Sequence, residues 1–314
     1  MKMKQRIKIL KTLIRLKILP LILISFWTIG ALAQVKFLPS KVVPAGTDPE
    51  YYSAKPDFAM VERWAPLSPQ DRKSLSPALL KSYSQEKLDQ LYARLASGPI
   101  PQGDYEGSIL VKNELVLTIE KMMMDKMINR KSFGGFFQGL AIKVLCGSRD
   151  RLECLGEFLW KGKHFYPPEA DGSIELRNAI NLKLRNSMIL KAAGLSALDK
   201  PLSQAQVQDF NHDKRMMLMP AHVYCGISLA DTRRESIIID YAYGDDFKPF
   251  IPEVDGLVTR NGKVIRDEIR MIRPGLYLGR AYVENIFLLN FVLESKSTPS
   301  LEIKNQCWTG NSWQ

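Results

Sequence analysis

The fold is decided by residues 263–293, which read KVIRDEIRMI (263–272), RPG (273–275), LYLGRAYV (276–283), EN (284–285) and IFLLNFVL (286–293). The three long segments are rich in β-branched and aromatic residues, and the RPG and EN connections are short enough for hairpins. This stretch therefore predicts three consecutive antiparallel strands.

Five segments nearer the N-terminus have the same strand-like character. They are 105–111, Phe158–Tyr166, Ile174–Leu182, Met217–Cys225 and Ser236–Tyr243. An antiparallel meander of eight strands can close into a small barrel or stay a strongly curved sheet. The sequence leaves both arrangements open.

Helices are predicted before this meander. Ser84 can cap a helix over 84–97, in which leucine and tyrosine recur at helical spacing until Gly98 and Pro99 end it. A second helical block is predicted over 114–145, where methionine, phenylalanine and leucine form apolar faces. The fold class is therefore α+β, with N-terminal helices packed on a C-terminal antiparallel, barrel-like β-meander of about eight strands.

Residues 1–33 have the three parts of a secretory signal peptide. Seven Lys and Arg residues precede an apolar stretch of 16 residues, Ile18–Ala33, which ends in Ala31-Leu32-Ala33. A membrane-spanning helix needs about 20 apolar residues. We therefore expect a periplasmic or secreted protein with a mature N-terminus near Gln34, and an uncleaved signal anchor remains the alternative.

Composition and charge exclude some classes of protein and some partners for the mature chain. The protein is 46% hydrophobic and 25% charged, which excludes a disordered chain. Its net charge is +11, but only +4 belongs to the 281 residues after the signal segment, so nucleic acid is not expected as a partner. Six prolines over 34–69 predict an extended chain there, and we assign 34–83 to a Pro-rich arm. Residues 84–314 then form one α+β domain, helical over 84–150 and β-rich over 151–295, with a tail at 296–314.

The four cysteines, Cys146, Cys154, Cys225 and Cys307, lie in the mature chain. Disulfides persist in an exported protein, and four cysteines allow three pairings. The short polar turn between Cys146 and Cys154 favours a local bridge, which leaves Cys225 for Cys307. Their spacing contains no C-x-x-C pair, so a zinc site is not expected.

Motifs for covalent, nucleotide or metal chemistry are incomplete. Ser228 lies in a near G-x-S-x-G pattern, but every histidine precedes it, whereas an α/β-hydrolase needs a later one. The segment 156–164 has one residue too many between its glycines for a P-loop. One methionine-rich stretch offers soft metal ligands, namely Met216, Met217, Met219, His222 and Cys225. On a strand His222 faces away from the others, so we expect a core strand, no metal and no cofactor.

The strongest polar feature is the alternating row Arg266, Glu268 and Arg270, with Asp267 and Ile269 on the opposite face. Such a row usually faces solvent and forms cross-strand ion pairs. In a barrel it can instead point inward and anchor a ligand head group. Both placements stay open.

A series of short motifs resembles uncharacterised exported proteins of proteobacteria and is loosely similar to the GXWXG family of small lipocalin-like β-domains. The motifs are Gly103–Gly107, Trp160–Phe165, Asp240-Tyr241, Arg266–Arg270 and Pro274–Gly279. The resemblance covers about 84–294. It implies a curved β-barrel and no known reaction.

The leading hypothesis is that the protein binds a lipid or other lipophilic small molecule in a barrel-like cavity and is not an enzyme. The expected ligand contacts are Trp160, Lys163, Tyr241, Arg266, Arg270 and Tyr277. One alternative is an envelope hydrolase or isomerase acting on a lipid, with His164, Asp240 and Glu268 as acid–base groups. Another is a structural or interaction protein that contacts envelope components through its arm.

Overall fold

The computed structural model describes residues 34–38, 57–110, 159–182, 206–262, 264–297 and 307. Its contacts divide the chain into two compact units. The first contains 1–36 and 67–74, and the second contains 37–66 and 75–314. The predicted helical block at 114–145 and both Cys146 and Cys154 lie outside the described residues.

Four helices precede the sheet in the described part of the chain. They are α1 (Phe58–Trp64), α2 (Pro69–Ser74), α3 (Pro77–Lys81) and α4 (Gln85–Ala93). Within the first unit, the hydroxyl of Ser68 accepts a hydrogen bond from Asp71 N (3.1 Å), and the Asp71 carboxylate accepts one from Ser68 N (2.9 Å) at the start of α2.

The Pro-rich arm at 34–83 contains three of these helices, and the extended conformation predicted over 34–69 is wrong where α1 lies and α2 begins. Two prolines of this segment lie at helix starts, since Pro69 begins α2 and Pro77 begins α3. The first turn of a helix tolerates proline because its N–H would have no intrahelical partner there. Pro69 and Pro77 therefore mark where helices begin.

The predicted helix at 84–97 is confirmed as α4. The Ser84 hydroxyl accepts a hydrogen bond from Lys87 N at its start, and the helix ends at Ala93, earlier than the sequence suggested. Leu88, Leu91 and Tyr92 are fully buried along one side. This apolar side packs on the sheet described next.

The nine strands of the sheet are β1 (Gly103–Leu110), β2 (Trp160–Phe165), β3 (Glu175–Asn181), β4 (Val207–Phe210), β5 (Asp213–Ile227), β6 (Glu235–Asp240), β7 (Ile265–Arg273), β8 (Leu276–Val283) and β9 (Ile286–Glu294). All eight predicted strands are present. Only β4, a short strand paired with the start of β5, was not expected.

The sheet closes into an antiparallel barrel of eight strands, ordered β1-β2-β3-β5-β6-β7-β8-β9 with β9 beside β1. Closure depends on the long strand β5. Its first part pairs with β3 through residues as far as His222, and its last part pairs with β6 from His222 onward. Met219 has a positive φ of 55° just before Pro220, which locally changes the strand direction. The closed meander, and not the open sheet, is therefore the observed form.

One end of the barrel is filled by side chains. Tyr105 contacts Phe165 and Tyr277 edge-to-face, with ring centroids 5.6 and 5.7 Å apart. Around these rings lie buried aliphatic side chains from the neighbouring strands, together with Cys307. This end is a packed core.

The predicted Cys225–Cys307 disulfide is confirmed, and it joins β5 to the C-terminal tail. We expect peptide mapping of the unreduced protein to recover a linked pair containing Cys225 and Cys307, which separates on reduction. Recovery of either cysteine as an alkylated free thiol in the unreduced protein would contradict this pairing. Because the Cys225 sulfur is bonded to that of Cys307, Cys225 is also not available as a metal ligand in the methionine-rich stretch.

Within the described residues, we find no helix with the length and apolar character needed to cross a bilayer.

Candidate functional site

A cavity of about 250 Å³ lies at the end of the barrel where β6 ends and β7 begins. Its apolar wall comes from six of the barrel strands and two connections: Ile109, Leu159, Ile180, Met219, Val258, Ile265, Ala281, Leu289 and Phe291. Five polar or amphipathic side chains complete it: Trp160, Lys163, Asn178, Tyr241 and Asp267. The cavity is thus mainly apolar with one polar region.

Two glycines make room for the aromatic part of this wall. A side chain at Gly107 would collide with the Trp160 ring, and one at Gly279 would collide with the Phe291 ring. The two rings meet edge-to-face at 5.7 Å. Glycine at these strand positions therefore lets large aromatic side chains lie inside a narrow barrel.

The polar region consists of Lys163, Asn178, Tyr241 and Asp267, which we call the polar quartet. Lys163 is at its centre. The Lys163 ammonium lies 2.8 Å from Asp267 Oδ2 and donates to Tyr241 Oη (2.6 Å) and to Asn178 Oδ1 (2.9 Å). An ammonium has three N–H donors, so this geometry uses all of them.

The other members of the quartet are also bonded to one another. Tyr241 Oη donates to Asp267 Oδ2 (3.0 Å), and Asn178 Nδ2 donates to Tyr241 Oη (3.0 Å). Trp160 Nε1 donates to Asn178 Oδ1 (3.0 Å) from the adjacent strand. The quartet is a closed hydrogen-bond network that carries one positive and one negative charge.

Burial governs the electrostatics of the quartet. It lowers the pKa of Lys163, and the Asp267 carboxylate opposes that shift only in part. Burial also raises the pKa of Tyr241 well above 10, and the nearby carboxylate adds to the rise. Tyr241 is therefore a protonated donor at neutral pH. The rings of Trp160, Tyr241 and Phe291 surround the Lys163 nitrogen, with centroids 5.3–5.5 Å away.

Three of the predicted ligand contacts, Trp160, Lys163 and Tyr241, come together in this cavity. Tyr277 lies instead in the filled end of the barrel, where its hydroxyl donates to the carbonyl of Pro99 (2.8 Å). Sequence reasoning missed Asn178 and Asp267. Strand alternation contained the signal for Asp267, because it shares a face with Ile265 and Ile269, which point into the barrel.

Arg266 and Arg270 lie on the outer face of β7 and not in the cavity, so their placement as lining residues is wrong. The solvent-facing alternative is also wrong for Arg270, which is completely buried. Its guanidinium donates to Asp231 Oδ2 (2.9 Å) and to the carbonyl of Tyr92 (3.1 Å) in α4. Glu268 and Arg270 are covered because α4 and the loop 228–234 pack on this outer face, whereas Arg266 is 25% exposed.

The residues of the enzyme hypothesis are not brought together. His164 is on β2, and Glu268 is on β7, with three strands between them in either direction around the barrel. His164 Nδ1 lies 2.6 Å from Asp104 Oδ1, whereas Glu268 accepts hydrogen bonds from Ser228 (2.6 Å) and Leu229 N (2.8 Å). Asp240 accepts one from Tyr224 (3.0 Å). The three groups therefore belong to separate contacts.

A second depression of about 350 Å³ lies beside β1, β2 and β5. Its wall includes the charged residues Glu106, Lys161 and Arg215. It lacks the apolar wall of the barrel cavity, so the barrel cavity is the better candidate for a small-molecule site.

Buried Tyr105 and partly exposed Tyr224 make stability sensitive to alkaline pH. Burial raises the pKa of Tyr105 from 10 to about 12, and burial together with the Asp240 carboxylate raises that of Tyr224 to about 12. Each raised pKa contributes stability that is present below pH 10 and is lost as pH rises through about 12. We expect tyrosinate absorbance between pH 10 and 12 to be lower for the native protein than for the urea-unfolded chain. Superimposable titration curves would contradict this assignment.

Comparison with known proteins gave no match to this chain among family models, curated proteins or solved structures.

Proposed function

We propose that the protein binds a small lipophilic molecule inside the barrel, as a lipocalin-like domain exported to the periplasm or beyond. The observation that carries the proposal is the mainly apolar cavity with one buried hydrogen-bonded region. Binding sites for small molecules commonly combine an apolar wall with a few fixed polar groups. The N-terminal signal pattern and the Cys225–Cys307 disulfide support export.

The size of the cavity limits the ligand. A volume of about 250 Å³ corresponds to roughly eight water-sized groups at about 30 Å³ each. This is enough for a short alkyl chain, a bicyclic aromatic molecule or one end of a longer lipid. The acid–base groups of the enzyme hypothesis are separated around the barrel, so we propose no second function.

Filling the cavity is the direct test. Ala281 projects from β8 into the cavity, and Ala281→Leu occupies part of the ligand volume. We expect this change to weaken the binding of naphthalene, a neutral apolar probe, at least tenfold, which is about 1.4 kcal/mol. Isothermal titration calorimetry measures the affinity.

Ala230→Leu is the matched control, because Ala230 is exposed in the loop after β5 and does not line the cavity. It should bind naphthalene like the unmodified protein. Circular dichroism confirms that each variant is folded. Failure of the unmodified protein to bind naphthalene, or equal binding by the two leucine variants, would contradict binding in the barrel.

A further inference from the structure

The polar quartet has no spare hydrogen-bond donor. Lys163 uses its three N–H groups on Asp267, Tyr241 and Asn178. The Tyr241 hydroxyl donates to Asp267, and the Asn178 amide donates to Tyr241 (3.0 Å) and to the carbonyl of Met219 (3.4 Å). The indole N–H of Trp160 donates to Asn178. An incoming acceptor therefore finds no free N–H or O–H in this network.

The quartet does have a spare acceptor. Asp267 Oδ2 accepts from both Lys163 and Tyr241, whereas Asp267 Oδ1 accepts no hydrogen bond from the described part of the chain. Oδ1 is also absent from the fully enclosed, unpartnered polar atoms found among the described residues. The Asp267 side chain is 7% exposed and lines the cavity. A carboxylate oxygen with free lone pairs is thus available to a ligand in an apolar space.

We infer that the cavity selects lipophilic molecules whose polar end donates a hydrogen bond, with an aliphatic alcohol as the simplest case, and discriminates against carboxylates. This inference rests on the proposed binding function and specifies its ligand class. An alcohol O–H supplies the donor that Asp267 Oδ1 lacks, while its alkyl chain contacts residues such as Ile265 and Leu289. A carboxylate would bring a second negative charge toward Oδ1 and find no free donor to stabilise it.

Charge balance supports the same ligand class. Lys163 and Asp267 neutralise each other, so the quartet offers no net positive charge for an anion. The Trp160 and Phe291 rings, with centroids 5.5 and 5.4 Å from the Lys163 nitrogen, and the Tyr241 hydroxyl, 2.6 Å from it, occupy the space from which an anion would approach the ammonium. A fatty-acid carboxylate would therefore have to break the Lys163–Asp267 pair in order to be bound.

The test compares three ligands of similar size by calorimetry on the unmodified protein: 1-octanol, its isomer 1-methoxyheptane and octanoate. The ether keeps an oxygen acceptor but has no donor. We expect 1-octanol to bind at least fivefold tighter than the ether and at least tenfold tighter than octanoate. Equal or tighter binding of the ether or of octanoate would overturn the inference while leaving the proposed function intact. Absence of binding by all three, and by naphthalene, would overturn both.

Asp267→Asn provides the second measurement. Its amide can present an N–H where the carboxylate presents only acceptors, so the preference for 1-octanol over the ether should fall below twofold. If the folded variant keeps the full preference for 1-octanol over the ether, another group causes the selectivity and the inference is overturned. If the variant does not fold, the three-ligand comparison on the unmodified protein decides alone.

Discussion

Lys163→Met is expected to lower the free energy of unfolding by about 3–5 kcal/mol, because it leaves the Asp267 carboxylate buried without its counter-ion. The Lys163 and Asp267 side chains are only 3% and 7% exposed, and their charged atoms are 2.8 Å apart. Asn178 and Tyr241 would also each lose a hydrogen bond from the ammonium. Urea denaturation followed by circular dichroism measures the loss.

Two further variants show whether the effect comes from an unpaired charge. Lys163→Met combined with Asp267→Leu removes both charges and should recover most of the lost stability, since a buried ion pair can be replaced by apolar side chains at little cost. Lys214→Met is the surface control: Lys214 pairs with Asp209 at 3.0 Å, but their side chains are 58% and 72% exposed. It should change stability by less than about 1 kcal/mol. Equal effects of Lys163→Met and Lys214→Met would show that the buried pair does not matter.

Arg270→Met is expected to lower the free energy of unfolding by about 3–5 kcal/mol, because the buried Asp231 carboxylate keeps only its second partner, Arg233, and the other buried acceptors around the guanidinium lose their donor. Arg270 is completely buried and pairs with Asp231, and its guanidinium also donates to Ser236 (2.9 Å) and to the carbonyl of Arg234 (3.0 Å). These contacts join the loop 228–234 to the outer face of the barrel. Urea denaturation measures the change in the free energy of unfolding.

Arg273→Met is the matched control on the same strand. Arg273 also has a carboxylate partner, Glu294, at 3.3 Å, but both side chains are more than one-third exposed. We expect this variant to lower the free energy of unfolding by less than about 1 kcal/mol. If Arg270→Met lowers the free energy of unfolding no more than Arg273→Met does, burial of Arg270 has no energetic consequence.

The strands were predictable from sequence because each carries its own signal. The 263–293 stretch shows alternation and hairpin turns within single segments, and β7, β8 and β9 appear where expected. Closure was not predictable, because it depends on pairing β1 with β9 and β3 with β5, which no local pattern encodes. Tertiary contacts between distant segments settle whether such a sheet closes.

The candidate site was only partly predictable for the same reason. Lys163, Trp160 and Tyr241 were identified through residue type and motif, and they do meet in the cavity. The row containing Arg266 and Arg270 was misplaced because alternation separates two faces but does not say which one is interior or what covers the other. Here α4 and the loop 228–234 bury Glu268 and Arg270 as completely as the charges inside the barrel, whereas Arg266 is 25% exposed.

The pairing of β1 with β9 also constrains the order in which the chain can fold. Partners such as Glu106 and Glu294, or Leu110 and Asn290, are about 180 residues apart in sequence. Contacts of such long range slow folding, because much of the chain must be ordered before they form. During synthesis, β1 cannot pair with β9 before β9 has been made. Until that point both edges of the sheet present unpaired backbone groups. Nascent chains of this protein are therefore open to edge-to-edge association until residue 294 is available.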